Sequence, residues 1–119
     1  MSDFQAESTP TARKHHQCCE CEGSIEPGQK YQLIAGSWEG RMHSFKTCMS
    51  CLEARDWATS QIEWCGGDDH LYYFGQLEED LSIMAPEIVT QDGRRFHAYR
   101  LGAQIANRRM LARAKLKAA

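Results

Sequence analysis

Two pairs of cysteines carry the strongest chemical signal in this sequence. Two residues separate Cys18 from Cys21, two separate Cys48 from Cys51, and 26 residues lie between the pairs. Zn2+ has no ligand-field preference and accepts four thiolates tetrahedrally, and a two-residue gap lets one tight turn or the first turn of a helix offer both sulfurs to one ion. The spacing therefore predicts one structural zinc ion per chain, held by Cys18, Cys21, Cys48 and Cys51. The second pair is expected at a helix start, where the dipole favours thiolate charge. Four buried free thiols are the alternative, with disulfides less expected in a reducing cytoplasm.

The neighbouring candidates are weaker. Cys19 sits beside Cys18, so its side chain points elsewhere and reads as a packed or surface thiol. His15 and His16 read as solvated histidines rather than replacement ligands. Cys65 with His70, joined by His43, could make a second metal site, but Gly66-Gly67 leaves the geometry unfixed, and a buried thiol beside an unrelated surface histidine is preferred. Four cysteine ligands close the coordination shell and leave no position for an activated water. The His-x-Glu and Pro-Cys-x2-Cys segments of a zinc deaminase are absent, as are a serine nucleophile elbow, a phosphate-binding glycine loop and a His-Glu-x2-His helix. His43 is the candidate base for nuclease chemistry on a hairpin, but no Asn precedes Asn107 to assist it. The expectation is a protein without catalytic activity.

The elements that must position the cysteines can be read around them. Residues 1–14 are polar and read as a flexible arm. Residues 15–65 form the zinc-binding unit. In it Pro27-Gly28 marks a turn, Tyr31 to Ala35 a strand, Gly36 to Gly40 a reversal, and Arg41 to Thr47 the returning strand, with Met42 and Phe45 as anchors. The run from Cys48 to Ala58 lacks Gly and Pro and predicts a helix with Met49, Leu52, Trp57 and Ile62 lying inward. Residues 66–119 form a helical extension packed on the zinc unit as one domain. There Leu77, Leu81, Met84 and Ile88 step by four, three and four, a short amphipathic helix ended by Pro86. A long helix follows over 94–117, with Phe96, Tyr99, Ala103, Ala106 and Met110 on one stripe and Leu101, Ile105 and Leu116 on the opposite side. Two stripes imply contacts with the body and with a partner. The fold class is α+β: knuckle, β-hairpin and helix, then two C-terminal helices. Trp57, Trp64 and Tyr72-Tyr73-Phe74 read as core that joins the two halves, whereas Trp38 at the hairpin tip is balanced between covering the core and anchoring a partner.

Charge divides the chain. Residues 1–92 hold six Lys/Arg against sixteen Asp/Glu, a charge of −10, and residues 93–119 hold eight Lys/Arg and no acid, a charge of +8. A zinc ion with four thiolates adds −2, so the loaded body stands near −12. With 119 residues, 42% hydrophobic, and no 18-residue apolar run, the composition excludes a membrane span and a disordered chain. The N-terminal stretch lacks the pattern of a secretory signal, so a cytoplasmic setting is expected and a secreted disulfide scaffold is excluded.

Several motifs carry a family likeness. Cys18-x2-Cys21 with Ile25, Gly28 and Tyr31, then a hairpin, then Cys48-x2-Cys51 opening a helix, resembles the treble-clef arrangement of zinc fingers. His16-x-Cys18-Cys19-Glu20-Cys21, Ile25-x-Pro27-Gly28-x2-Tyr31, Gly36-x-Trp38, Phe45-Lys46-Thr47-Cys48 and Phe74-Gly75-x-Leu77-x-Glu79-Asp80-Leu81 resemble small proteins encoded by bacteriophages and prophages. The resemblance spans about residues 14–82 and implies a zinc fold and a bacterial host cell as the setting. It implies no activity.

Two functions compete. The first is an interaction module that binds and modulates a host protein or nucleoprotein, with Trp38 as a contact. The second is a nucleic-acid binder using Arg108, Arg109, Arg113, Lys115 and Lys117 on phosphates. A further alternative folds the basic helix onto the acidic body, and a homodimer stays open. The first is preferred, because an acidic body repels the duplex that the basic helix would attract, and beyond Tyr99 the helix interleaves no aromatic with its cations for stacking on bases.

Overall fold

The computed structural model describes residues 2–38, 40–64 and 75–118. Cys65, His70 and the aromatic run 71–74 lie outside the described residues, as do the side chains of Trp38 and Lys117. The chain is α+β, with small antiparallel sheets followed by three α-helices.

The expected hairpin is present. Strands β4 (Tyr31–Trp38) and β5 (Arg41–Cys48) pair antiparallel from Tyr31↔Cys48 to Trp38↔Arg41. The turn is short, and Gly40 takes φ 78°, the left-handed conformation that such a turn requires and a side chain disfavours. Before it come β2 (His16–Gln17) and β3 (Ser24–Ile25), a second, two-stranded sheet around the first cysteine pair.

The arm expected over residues 1–14 is corrected. Ser2–Ser8 form β1, antiparallel to β4, so the larger sheet runs β1-β4-β5. The physical reason is the edge of β4, whose unpaired backbone groups accept a strand of almost any composition. Gln32 adds a side-chain hydrogen bond to Glu7, and the chain stays attached afterwards: Ala12 is buried and exchanges backbone hydrogen bonds with Gly28 and Gln29.

Strand β5 runs directly into α1 (Met49–Thr59), with Cys48 serving as both the last strand residue and the N-cap. Cys51, Ala54, Arg55 and Ala58 form its buried face, while Met49 turns outward and Ile62, beyond the helix, is exposed. Met42 is also exposed, so it does not anchor β5. All three differ from the inward positions expected; on α1 the small alanines let the helix approach the core closely and leave Met49 outside.

Helix α2 (Leu77–Met84) ends in a 3-10 turn, Ala85–Glu87, that contains Pro86. Leu77, Leu81, Met84 and Ile88 are fully buried, as the spacing predicts. They meet Ala98 and Ile105 of α3 (Gly93–Ala118), with Leu101 half-buried beside them, and this layer is continuous with Ile25, Tyr31, Ala54 and Ala58.

A buried carboxylate joins the halves. Glu20 Oε1 accepts hydrogen bonds from the backbone N–H groups of Gly75 (3.0 Å) and Leu77 (3.1 Å), capping α2, whose own N-cap Gln76 supplies no side-chain bond. Its other oxygen lies 3.8 Å from Arg55, which donates to Gln32 and to Thr47 Oγ1 (2.7 Å). A charge this far inside is tolerable because it is paired and hydrogen-bonded.

Candidate metal centre

The first cysteine pair sits in a knuckle closed by β2 and β3. Cys18 N–H donates to Gly23 O (2.9 Å), Glu22 N–H donates to Cys18 O (3.0 Å), and Glu22 takes the left-handed φ of 61° that turns the chain back. Backbone amides then point at the sulfurs: Glu20 and Cys48 donate to Cys18 Sγ and Gly23 donates to Cys21 Sγ, each at 3.4 Å. Such donors stabilise thiolate over thiol. Gly23 leaves room beside the sulfur, since a Cβ there would stand 3.2 Å from Cys21 Sγ and press on it. The second pair comes from the junction of β5 and α1, so a strand end and a helix start hold it fixed.

The four sulfurs lie within 4.8 Å of one another, and three of the four residues are buried. Cys21 Sγ and Cys48 Sγ are 3.8 Å apart, and a tetrahedron with Zn–S bonds of about 2.3 Å has an edge of about 3.8 Å. The arrangement fits a structural metal site formed by Cys18, Cys21, Cys48 and Cys51.

Their acidities support the same conclusion. The Cys18 thiol drops to about 6: its hydrogen bond with Cys21 opposes the shift, and those from Cys48 and Cys51 outweigh it. Cys21 is lowered too, by hydrogen bonds from Cys18, Cys48 and Cys51. Cys48 and Cys51 are pushed up, first by Cys18 and then by Cys21, since either would ionise beside sulfurs that already hold charge. The four thiols titrate as one unit. Crowded within 4.8 Å of one another, the four sulfurs can all carry charge only with a cation among them.

Cys19 lies outside the cluster, hydrogen-bonded to Thr47 Oγ1 at 3.4 Å, with its thiol pushed up to about 11 by burial. That agrees with its reading as a packed thiol. The His16 ring lies tilted against Tyr31, with 5.1 Å between ring centroids, and His15 pairs with Glu26 at 2.6 Å. Neither histidine joins the cluster.

A cation does approach the sulfurs, from the far end of the chain. Arg108 of α3 donates from Nη2 to Cys51 Sγ at 3.2 Å. Burial opposes its charge, yet hydrogen bonding to Cys51 and Cys21 raises its pKa. Arg108, expected among the phosphate contacts, instead faces the body, a position that its spacing from Leu101 and Ile105 signals.

The other basic residues are distributed similarly. Arg109 donates to Glu78 and to Glu20 O (2.7 Å), and Arg113 pairs with Glu22 at 2.8 Å. Arg94 pairs with Glu63 and Asp92, each at 2.8 Å. Lys115 is exposed. The arginines named as phosphate contacts are thus engaged with the acidic body, as in the alternative that folds the helix onto it.

No family model, curated protein or solved structure matches this chain. Its chemistry therefore rests on the residues themselves. No helix among the described residues is long and apolar enough to cross a membrane.

Proposed function

We propose that the cysteine cluster holds one structural Zn2+ in a treble-clef-like unit, and that the protein is a non-enzymatic phage or prophage module that binds and modulates a host protein or nucleoprotein. Four thiolates suit zinc over the harder divalent cations, and two CxxC pairs bracketing a hairpin suit a closed structural site. Zinc bound in this way contributes directly to the folding free energy. Cys18, Cys21, Cys48 and Cys51 occupy every position of a tetrahedron, which leaves none for a substrate.

One observation carries the interaction reading: the apolar stripe of α3 is exposed. Phe96, Tyr99 and Met110 are 71%, 48% and 62% accessible, while the arginines behind them are tied to the body. Apolar side chains aligned on a helix face that the protein's own core does not cover characterise binding surfaces. The phage setting rests on the motif resemblance. The competing reading as a nucleic-acid binder is supported by Arg95, Arg100 and Lys115, for which no carboxylate partner is found among the described residues.

Affinity capture from bacterial lysate, with and without nuclease, followed by mass spectrometry, tests the proposal. A stoichiometric protein partner that survives nuclease supports it, and capture that vanishes with nuclease favours the alternative. Nuclease, deaminase and hydrolase assays should read at background; cleavage abolished by His43→Ala would overturn the non-enzymatic reading.

A further inference from the structure

We infer that the outward face of α3 is a docking seam for an acidic amphipathic helix. The inference rests on the interaction reading above and names the surface and the chemistry of the partner.

Residues 96, 99, 103, 106 and 110 are spaced three, four, three and four. That is the heptad rhythm of a two-helix seam, narrower than the face a helix buries in a globular core. At 100° per residue the stripe centres about 160° away from Ala98, Leu101, Ile105 and Arg108. Those four face the body: Ala98 and Ile105 are fully buried, Leu101 packs against the core, and Arg108 reaches Cys51. One face of α3 is therefore satisfied by the fold, and the opposite face carries a second apolar pattern that the fold does not use. From Phe96 to Met110 the seam is about 21 Å long, enough for two heptads of a partner helix. Large residues stand at its ends, and Ala103 and Ala106 in the middle let a partner backbone come close.

Charge decides the occupant. In a coiled-coil seam the positions flanking the apolar ones select the partner through ion pairs. Here those positions hold Arg95, Arg100, Gly102, Asn107 and Arg109, and no acid occurs anywhere in α3. Arg109 is taken by Glu78, but among the described residues the Arg95 side chain donates to Thr90 and Arg100 is hydrogen-bonded to His97, neither to a carboxylate. A second copy of α3 would set Arg95 against Arg100 in a parallel pair, or Arg95 against Arg109 and Arg100 against Asn107 in an antiparallel one, and offers no carboxylate in either. The acidic helix of the chain itself, α2, has its apolar face buried and is not free to dock. Complementarity at the seam thus favours a short helix with apolar residues at heptad spacing and Glu or Asp set directly against Arg95 and Arg100, where contact pairs outweigh the screened charge of the acidic body. Nucleic acid would satisfy Arg95 and Arg100 but leave Phe96 and Met110 unused.

The test uses the full-length, zinc-loaded protein and fluorescence anisotropy with three labelled probes. One is a peptide of about three heptads with Leu in the seam and Glu at the flanks, the second carries Lys in place of Glu, and the third is duplex DNA. The Glu peptide should bind at least about tenfold more tightly than the Lys peptide, a difference that salt reduces. Phe96→Ala/Met110→Ala should weaken the Glu peptide about tenfold or more without lowering the melting temperature, since neither side chain is in the core. Arg95→Gln/Arg100→Gln should remove the preference for Glu over Lys. Equal binding of both peptides overturns the inference, as does peptide binding indifferent to the seam variant. Duplex binding that the arginine variant abolishes and the seam variant leaves intact also overturns it. Concentration-dependent self-association lost in Phe96→Ala/Met110→Ala would give the seam to a second copy instead. If these fail while lysate capture still recovers a protein partner with the seam variant, the interaction reading stands and this surface does not.

Discussion

Replacing Arg108 should weaken zinc binding from a position 57 residues beyond the nearest ligand in sequence. The guanidinium stands 3.2 Å from Cys51 Sγ, and at an effective dielectric of 20 a full charge pair at that distance gains about 5 kcal/mol. Against this stands the burial of the guanidinium, whose Nε finds no hydrogen-bond partner among the described residues and costs about 1–3 kcal/mol. The net of about 2–4 kcal/mol overlaps, at its lower end, the usual value of a hydrogen bond to a charged group and the 10–100-fold that outer-sphere partners contribute to metal affinity. Arg108→Gln should therefore lower zinc affinity by about 30-fold, measured by competition against a chelator of known affinity. Arg108→Lys should recover part of the loss, because it restores the charge without the planar donor. Arg113→Gln, which removes an exposed pair with Glu22, should change the affinity by less than about twofold. Affinity of Arg108→Gln within twofold of the parent would refute the view that α3 supports the sulfurs electrostatically.

Other outcomes follow from the same contacts. Cys48→Ser should lose stoichiometric metal and the cooperative melting transition, whereas Cys19→Ser should keep both, as read by metal analysis and calorimetry. Glu20→Ala should destabilise the protein by about 3 kcal/mol in denaturant titration, because it uncaps α2 and leaves Arg55 with one buried partner fewer, yet one zinc per chain should remain. Acid should loosen α3. Arg113 holds the Glu22 carboxyl below its ordinary 4.5, Arg94 does the same for Glu63, and Asp92 is lowered from 3.8 by the backbone and side chain of Arg94. Lowered carboxylates stabilise the fold above their unfolded values, and that contribution disappears as pH falls through the folded ones. The melting temperature of the parent should thus fall more steeply between about pH 5 and 3 than that of Glu22→Gln/Glu63→Gln, and parallel curves would contradict the assignment.

The metal cluster was legible because its signal is local. Two CxxC pairs state their own geometry, and the hairpin between them follows from alternating apolar residues bounded by glycine. The short helix with Leu77, Leu81 and Met84 was equally plain, since its periodicity belongs to one segment. Strand β1 was not, because its polar residues carry no alternation and its pairing is dictated by the edge of β4, information held 30 residues away. The inward positions of Glu20 and Arg55 were hidden for a similar reason: composition assigns charges to the surface, and only tertiary contact reveals that each supplies the other's partner. The same holds for Arg108. A run of eight cations reads as one solvated face, whereas the fold sorts it into arginines that neutralise acids, one that approaches sulfur, and a pair that flanks an apolar seam.

The pairing of α3 with the knuckle also sets an order of events during synthesis. Arg109 and Arg113 meet residues 20 and 22 across separations of 89 and 91 residues. Contacts this distant form late, after the local ones have closed, and in a chain made from its N-terminus they must wait until residue 113 has left the ribosome. The knuckle, the hairpin and the start of α1 are complete far sooner. The four cysteines can therefore come together in a nascent chain in which Cys51 still lacks its arginine and Glu22 its ion pair. Arrival of the basic helix then adds Arg108 to Cys51 and Arg113 to Glu22. Proteolytic removal of the last turns of the helix would reverse that step without touching a single ligand.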